Sequence, residues 1–403
     1  AAHAGLQTGD HCLAGVCANI AGDAGVILAI SFGAILFKAL GRNPWAGITI
    51  AYGSVQAGYG ANLFPSTADA LYAGISGPLA EEFGFVVHPM SNYIFLFVCT
   101  WFLALAFAFV SEKFIVPLFG EAPRESRSRL ENSAIEDNFV LTEAEHRGLK
   151  FAGIGAAVFL VFLVIGMLPG SIFPAVFGFL RNPETDQLFP KSPFLDGMIP
   201  LIGLLFLAVG IPFGYGVGTI KNKGDIPPIL QKGVNKMASL IFILFPCSLF
   251  VYQFNRSNLS TVISVGGERF LNSIHLTGLP MLVVFIIIVA FINIFMYSGS
   301  AKWMILAPIF IPMFATMGVH PAVTQLAARI GDSCTNGLTP LNAALIAVLA
   351  LMEQYRDPEL NPEKPGMGTV ISSQIPLAIT SLVVMTALFI IFILAGLPVG
   401  IGM

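Results

Sequence analysis

The chain has 403 residues, of which 56% are hydrophobic and only 11% charged, with a net charge of -3. Soluble domains carry about 25% charged residues. This composition, with a mean hydropathy of +0.81, therefore excludes a soluble globular protein and implies a polytopic chain whose main partner is the lipid bilayer. The slightly acidic balance carries no electrostatic footprint for nucleic acid, so no nucleic-acid partner is expected.

Residues 1–17 are rich in Gly, Ala and His and show no initiator Met, signal-peptide pattern or strong first span. The sequence is therefore expected to begin part-way into a longer protein. A polar patch at Ala18–Asp23 precedes an apolar run from Ala24 to Leu40, and Gly41-Arg-Asn-Pro44 reads as a turn with Pro at a helix start. The helix from Trp45 dissolves at Gly58-Tyr-Gly-Ala-Asn62-Leu-Phe-Pro-Ser-Thr-Ala-Asp69, and a half-helix follows from Ala70 towards Gly84. Spans are expected at about Ser91–Val110, Leu149–Leu168, Met198–Ile220 and Ala238–Phe254, each roughly long enough to cross. The mixed-sign stretch Ser111–Lys150 reads as a solvated connector, and Ser257–Leu276 as an interfacial segment. An apolar arm from Leu279 to Met296 leads into the stretch that organises the chain, Asn293 to Asn342. There Tyr-Ser-Gly-Ser-Ala-Lys-Trp interrupts the apolar sequence once, and Gly-Asp-Ser-Cys-Thr-Asn-Gly-Leu-Thr-Pro-Leu-Asn interrupts it again after His320-Pro321. The last span is expected at Ile375–Leu397.

Two stretches match. Asp23 and Pro44 have the same separation as Ser300 and Pro321. Each unit reads polar tip, apolar helix, Pro-initiated helix, Gly/Asn/Thr/Pro break, second half-helix. Non-helical backbone at membrane depth is tolerated only where protein or a cavity surrounds it, and repeated discontinuous helices build alternating-access transporters. Basic residues crowd the Gly41 turn (Lys38, Arg42), the Ser111–Lys150 loop, Lys221–Lys236 and Arg356–Lys364, which marks that side as cytoplasmic. An odd number of crossings then separates Arg42 from His320, so the two units are inverted. The expected fold is all-α, with inverted repeats, two re-entrant helical hairpins and two broken transmembrane helices. Its divisions are a first repeat unit over 1–84 and scaffold spans over 85–277, which include the cytoplasmic loop 111–150. A second repeat unit follows over 278–356, and a C-terminal span over 357–403.

Asp23, Asp69 and Asp332 lie in interrupted apolar sequence, where a charged Asp costs at least about 2.5–3.5 kcal/mol and needs a partner, proton or ion. Each can instead cap a half-helix N-terminus, and Asp69, just after Thr67, suits that reading. Arg329, one turn before Asp332, is placed for an i,i+3 salt bridge, or for a share in holding an anionic substrate group while Asp332 acts as a proton switch. Asn19, Asn62, Ser298, Ser300, Thr335, Asn336, Thr339 and Asn342 supply neutral oxygens, which satisfy broken backbone or ligate a hard cation. The expected metal, if one binds, is a sodium ion (Na+) near the first tip, with Asn19, Asp23, Asn62 and Asp69 as ligands. Trp303, just past the second tip, is either an interfacial belt residue or a stacking platform for an aromatic substrate. Lys302 snorkels or pairs. The cysteines Cys12, Cys17, Cys99, Cys247 and Cys334 have no metal spacing and read as small buried residues. No His-Glu-x-x-His or Gly-x-Ser-x-Gly motif is present, the histidines are dispersed, and no cofactor or enzymatic activity is expected.

The run Ser298-Gly-Ser-Ala-Lys-Trp-Met-Ile-Leu-Ala-Pro-Ile-Phe-Ile-Pro-Met-Phe314 resembles the second hairpin of the p-aminobenzoyl-glutamate transporter (AbgT) family. Ile330-Gly-Asp-Ser333 is similar to its following broken helix. Gly60-Ala-Asn-Leu63, Thr67-Ala-Asp-Ala-Leu71 and Gly74-Ile-Ser76 are similar to its first broken helix, and Leu141-Thr-Glu-Ala-Glu with Arg147-Gly-Leu to its cytoplasmic loop. The resemblance implies a homodimer in the cell inner membrane, with a scaffold and a moving transport domain. It implies aromatic carboxylate substrates such as p-aminobenzoyl-glutamate and, in some members, sulfonamide export. Its functional residues fall on Asp69, Trp303, Pro321 and Asp332. Protons are the favoured coupling ion. A sodium-coupled dicarboxylate carrier and, more distantly, an ion channel are the competing readings.

Overall fold

The computed structural model describes residues 2–21, 23–120, 142–169, 178–188, 192–232, 249, 252–253, 256–357 and 361–401. Among the described residues the fold is helical, without a strand. The main helices are α1 (Ala2–Ala18), α2 (Asp23–Ala39), α3 (Pro44–Ala57), α4 (Thr67–Glu81) and α5 (Tyr93–Val110). They continue with α6 (Glu143–Met167), α7 (Met198–Val217), α8 (Leu259–Ser273), α9 (Gly278–Phe295) and α10 (Gly299–Thr316). The last three are α11 (Pro321–Cys334), α12 (Ala344–Gln354) and α13 (Met367–Leu394). The stretches Tyr93–Phe119, Glu143–Met167, Gly278–Phe295, Gly299–Thr316 and Met367–Leu394 are long and apolar enough to cross a bilayer, and the chain is a multi-pass membrane protein.

The repeat holds in register without a gap. Laying Pro44 on Pro321 places the helix ends Ala18 on Phe295, Ala39 on Thr316 and Ala57 on Cys334, and the helix starts Thr67 on Ala344. The turn chemistry repeats as well. Gly41 (φ 63°) and Gly318 (φ 82°) hold the left-handed conformation after α2 and α10, which a side chain would strain. The next caps are Asn43, whose side chain accepts from Trp45 N, and His320, whose side chain accepts from Ala322 N. Each precedes a Pro at the first helical turn, where no N–H is missed. The N-terminal segment, which shows no strong span in the sequence, is thus the first arm of a hairpin, α1–α2, equivalent to α9–α10.

The units enter from opposite ends of α5. Near its C-terminal end Glu112 accepts from both guanidinium nitrogens of Arg42 (2.8 and 2.7 Å), and Asn43 Nδ2 donates to Phe119 O at 2.8 Å. At its N-terminal end Asn92 Nδ2 donates to Ala322 O (2.8 Å) and Gln325 Nε2 to Asn92 Oδ1 (2.7 Å). A helix running from Tyr93 to Phe119 is about 40 Å long at 1.5 Å per residue, so the starts of α3 and α11 lie on opposite sides. α13 runs beside both broken helices. Its Gln374 donates to Thr49 O and its Ser381 to Ala57 O, and edge-to-face contacts of Phe95 with Phe389 and Phe392 hold α5 against it.

Several boundaries differ from the sequence reading. The Ser111–Lys150 loop is shorter, because α5 continues through a π-turn at Ser111–Ile115 and a last turn at Val116–Phe119. At the far side of the loop, α6 starts at Glu143 under a Thr142–Glu145 capping box. The last span begins at Met367 and runs through Pro376 without ending, since an internal proline is tolerated in a transmembrane helix. Ser257–Leu276 is helical at α8, with Gly267 set against Met313 of α10. The expected span Ala238–Phe254 lies almost wholly outside the described residues.

α2 and α3 cross at glycine. A Cβ on Gly47 would stand 2.1 Å from Gly33 O and 2.7 Å from the Phe37 ring, whereas nothing stands within 4 Å of a Cβ on Gly153. Overpacking of this kind costs about 1–3 kcal/mol. Gly47→Ala is expected to lower the unfolding midpoint of the detergent-purified protein and Gly153→Ala to leave it level or raise it. Equal midpoints would show that the crossing relaxes freely.

Candidate functional site

Four charges, each 2% exposed, meet where the two units touch: Asp69, Lys302, Arg329 and Asp332. Arg329 of α11 reaches across to the Asp69 carboxylate of α4, and Lys302 Nζ of α10 stands 2.5 Å from Asp332 Oδ1 of α11. The array is neutral, which is what a buried position in lipid demands. The expected Arg329–Asp332 pair does not form. Each carboxylate instead takes its own cation from another element, so neither is left with half a partner.

Local sequence explains each placement. Asp69 is the third residue of α4 and completes a capping box. Ser66 N–H and Ser66 Oγ donate to Asp69 Oδ2 at 2.6 and 2.8 Å, which leaves Oδ1 for Arg329. The cap and the ion pair are thus two uses of one carboxylate. Ser298 caps α10, accepting from Ala301 N at 3.4 Å. A Cβ on Gly299 would stand 2.8 Å from the Tyr72 hydroxyl and 2.9 Å from Asp332 Oδ2, so the bare tip is what allows this close approach.

Tyr72 joins the two ion pairs. Its hydroxyl donates to Asp332 Oδ2 at 3.3 Å and the Arg329 guanidinium lies 5.4 Å from its ring centroid. Trp303 stacks on Tyr72 at 6.0 Å, and its Nε1 donates to Ser76 Oγ at 2.9 Å. Trp303 is 1% exposed, so it is no interfacial belt residue. Asn293, the one polar residue of the α9 arm, donates through Nδ2 to Asp332 O (2.6 Å), Thr335 Oγ1 (3.0 Å) and Asn336 Oδ1 (2.9 Å).

A cavity of about 240 Å³ opens against this array. Its wall comprises Asn19, Val26, Gln56, Tyr59, Ala68, Leu71 and Tyr72 from the first unit, and Tyr297–Ser300, Asp332 and Asn336 from the second. Asn19, Ser298, Ser300, Asp332 and Asn336 are thereby brought together, with Asp69, Arg329 and Trp303 directly behind them. Pro321 is not. It opens α11, 11 residues and about 16 Å before Asp332, and shapes the helix start. Asn62 is buried, and its Oδ1 has no hydrogen-bond partner among the described residues. Asn19 Nδ2 is spent on Val16 O (3.1 Å) and Val55 O (3.0 Å). The Asp23 side chain lies outside the described residues. No group of three or more His, Cys, Asp or Glu with metal-holding geometry occurs among the described residues.

The sequence reading missed Tyr59, Tyr72, Gln56 and Tyr297, and did not assign Asn293. Asn293 carried a signal, as a lone amide within eighteen residues of apolar arm. Tyr72 carried a weaker one, a single turn beyond Asp69.

Breaking a buried pair by removing one partner costs about 3–5 kcal/mol, whereas replacing both by apolar groups costs far less. Asp69→Ala alone is expected to lower stability by that order, and Asp69→Ala combined with Arg329→Met to recover much of it. Thermal unfolding in detergent measures both, and strict additivity would mean the pair is not coupled.

Comparison with known proteins agrees with this architecture. The model of the AbgT putative transporter family matches residues 3–403. The p-aminobenzoyl-glutamate transport protein of Escherichia coli (strain K12) is 33% identical over 386 residues, 95% of this chain and 72% of that protein. The crystal structure of the Alcanivorax borkumensis YdaH transporter superposes with a TM-score of 0.86 at 28% identity, covering 98% of this chain and 80% of that one. Neisseria gonorrhoeae MtrF, described within a class of antimetabolite efflux pumps, gives 0.84 at 32% identity, covering 99% and 76%. A chain matched from end to end, with the hairpins and broken helices in place, belongs to the AbgT transporter family.

Proposed function

We propose that this chain is a secondary active transporter of aromatic carboxylates of the p-aminobenzoyl-glutamate type, that it exports sulfonamide-like antimetabolites, and that protons drive it. The observation that carries the reading is the cavity shared by both repeat units, with Asp332 as the one charged group on its wall among the described residues. The E. coli relative's name supports the substrate class, and the description of MtrF supports efflux.

A cavity of about 240 Å³ is smaller than the roughly 300–1,000 Å³ of small-molecule sites. An aromatic ring with a glutamate tail enters only when the Tyr297–Ser300 tip withdraws. Withdrawal exposes Tyr72 and then Trp303 as stacking surfaces and frees Arg329 for the substrate carboxylate. A proton on Asp332 removes its attraction for Lys302 and so loosens the tip, which links proton entry to hairpin motion. Units 1–84 and 278–356 form the moving domain and the remaining spans the scaffold. The hairpins dip into the inner membrane as re-entrant elements, the first from the cytoplasm. The hydrogen bonds of Arg42 with Glu112 and of Asn43 with Asn361 bring the Gly41 turn beside the start of the loop after α5 and the Arg356–Lys364 stretch, which supports this orientation. A homodimer and a sodium ion near the first tip, at Asn19, Asp23, Asn62 and Asp69, complete the proposal. The buried free Oδ1 of Asn62 is the observation in favour of the ion.

Three outcomes are expected. Reconstituted protein should move p-aminobenzoyl-glutamate under an imposed pH gradient without sodium, and Asp332→Asn should abolish that flux while remaining folded. Flux under a sodium gradient alone would favour the dicarboxylate-type mechanism, and steady currents beyond carrier turnover a channel. Trp303→Phe should keep most of the substrate affinity and Trp303→Ala should lose about tenfold or more, the stacking contribution being about 0.5–1.5 kcal/mol beyond burial. Ala39→Cys and Thr316→Cys, exposed at equivalent positions of the two units, should label from opposite faces of the membrane. Labelling from one face overturns the inverted orientation.

A further inference from the structure

We propose that the Lys302 ammonium is a tethered occupant of a monovalent-cation site at the second hairpin tip, holding by covalent attachment a place that a free cation would otherwise fill. The proposal rests on the transporter reading only for its consequence for coupling, since the site itself is defined by contacts.

Lys302 Nζ contacts oxygens from the hairpin arm, the tip and the break. These are Asn293 Oδ1, Met296 O at 3.3 Å and Asp332 Oδ1 at 2.5 Å. One amide, one backbone carbonyl at an unwound turn and one carboxylate form the donor set that hard cations prefer, and unwound carbonyls at half-helix ends are where transporters hold sodium. The cage is built and does not depend on Lys302 for its shape. Asn293 Nδ2 is committed to Asp332 O, Thr335 Oγ1 and Asn336 Oδ1, so Oδ1 must point to the ammonium. The Asp332 contact is an ion pair without hydrogen-bond alignment, which leaves Oδ1 with no hydrogen-bond partner.

The first tip supplies the contrast. In the repeat register Val16 falls on Asn293, Val55 on Asp332, Asn19 on Met296 and Gly25 on Lys302. There Asn19 Nδ2 bonds the backbone carbonyls of Val16 and Val55. Both tips are thus tied by a nitrogen donor to the same two registers. At these positions the second tip has a carboxylate and a lysine, Asp332 and Lys302, where the first has Val55 and Gly25.

Removing the ammonium leaves Asp332 buried with one uncompensated charge inside an oxygen cage of atomic size. Either a small cation enters or the carboxylate takes a proton, and the proposal commits to the cation. Detergent-purified Lys302→Ala is expected to gain a saturable rise in unfolding midpoint, on the order of 2–4 °C, in sodium chloride or lithium chloride relative to choline chloride. This rise is measured beyond any shown by the unmutated protein and is absent from Lys302→Ala/Asp332→Asn. Lys302→Gln, which keeps a donor but no charge, should behave as Lys302→Ala does if that variant is not monodisperse. No sodium or lithium response beyond the unmutated protein overturns the proposal, because a proton has then filled the charge. Failure of both single variants to fold in every salt overturns it too, because the vacant cage is then no site. The transport reading is judged separately. In vesicles, Lys302→Ala flux should become stimulated at least several-fold by sodium, and absence of flux from the unmutated protein would sink the transport reading while leaving the binding result intact.

Discussion

The structure depends on the need to bury four charges with no net charge. Asp69 and Arg329, Lys302 and Asp332 come from α4, α10 and α11, and each pair crosses between elements. A carboxylate or guanidinium left alone at that depth is destabilising by several kcal/mol, so the two repeat units cannot slide past each other without a large penalty. Hydrophobic packing does not supply this constraint, because lipid tails solvate an apolar helix face as well as protein does. Polar contacts set the register. Asn293, Tyr72 and Ser66 hold the carboxylates, and Gln374, Ser381 and Asn92 fix α13 and α5 against the broken helices.

The same constraint explains how a rigid array can take part in movement. Two opposite pairs side by side are stable only while all four charges persist. Adding one proton to Asp332, or presenting a substrate carboxylate to Arg329, changes the sum by one and shifts which contacts are favourable. The bare Gly299 at the tip and the single layer of Tyr72 and Trp303 mean that little has to be displaced to reach the pairs. A small local change in charge can thus alter the position of a whole hairpin, provided the hairpin is tied to the array through few contacts. For the second hairpin Lys302, Gly299, Asn293 and Trp303 carry those contacts.

Much of this was legible in the sequence because the repeat imposes the same demands twice. A Pro-initiated helix, a left-handed glycine before it and a polar break after it are local requirements, and they recur at fixed spacing as Gly41-Arg-Asn-Pro44 and Gly318-Val-His-Pro321. The charged residues stood out because apolar sequence makes any Asp conspicuous. The pairing was not legible. Arg329 and Asp332 are neighbours on one helix, and spacing alone favours their union. The actual partner of Arg329 lies far along the chain, and only the folded juxtaposition of α4 and α11 brings it close. Tyr72 was hidden for a related reason. An aromatic residue in a membrane helix usually packs or anchors, and nothing in its own segment distinguishes one that bridges two ion pairs. The first arm, α1, was hidden because its Gly, Ala and His content resembles a loop more than a span. It is buried against α3 and α5 by protein, so it did not need the hydropathy that lipid contact would require.

The asymmetry between the two tips is the last consequence. A perfect inverted repeat would place equal chemistry on both sides of the cavity, and equal chemistry gives no reason for one hairpin to respond before the other. Here the first tip is held by a neutral amide on backbone carbonyls, which neither a proton nor a substrate carboxylate readily disturbs. The second is held by a lysine on a carboxylate, which both disturb. Charge therefore assigns different roles to two halves that backbone geometry makes equivalent. The charged tip is therefore the one whose hold depends on a charge that a proton or an anion can alter.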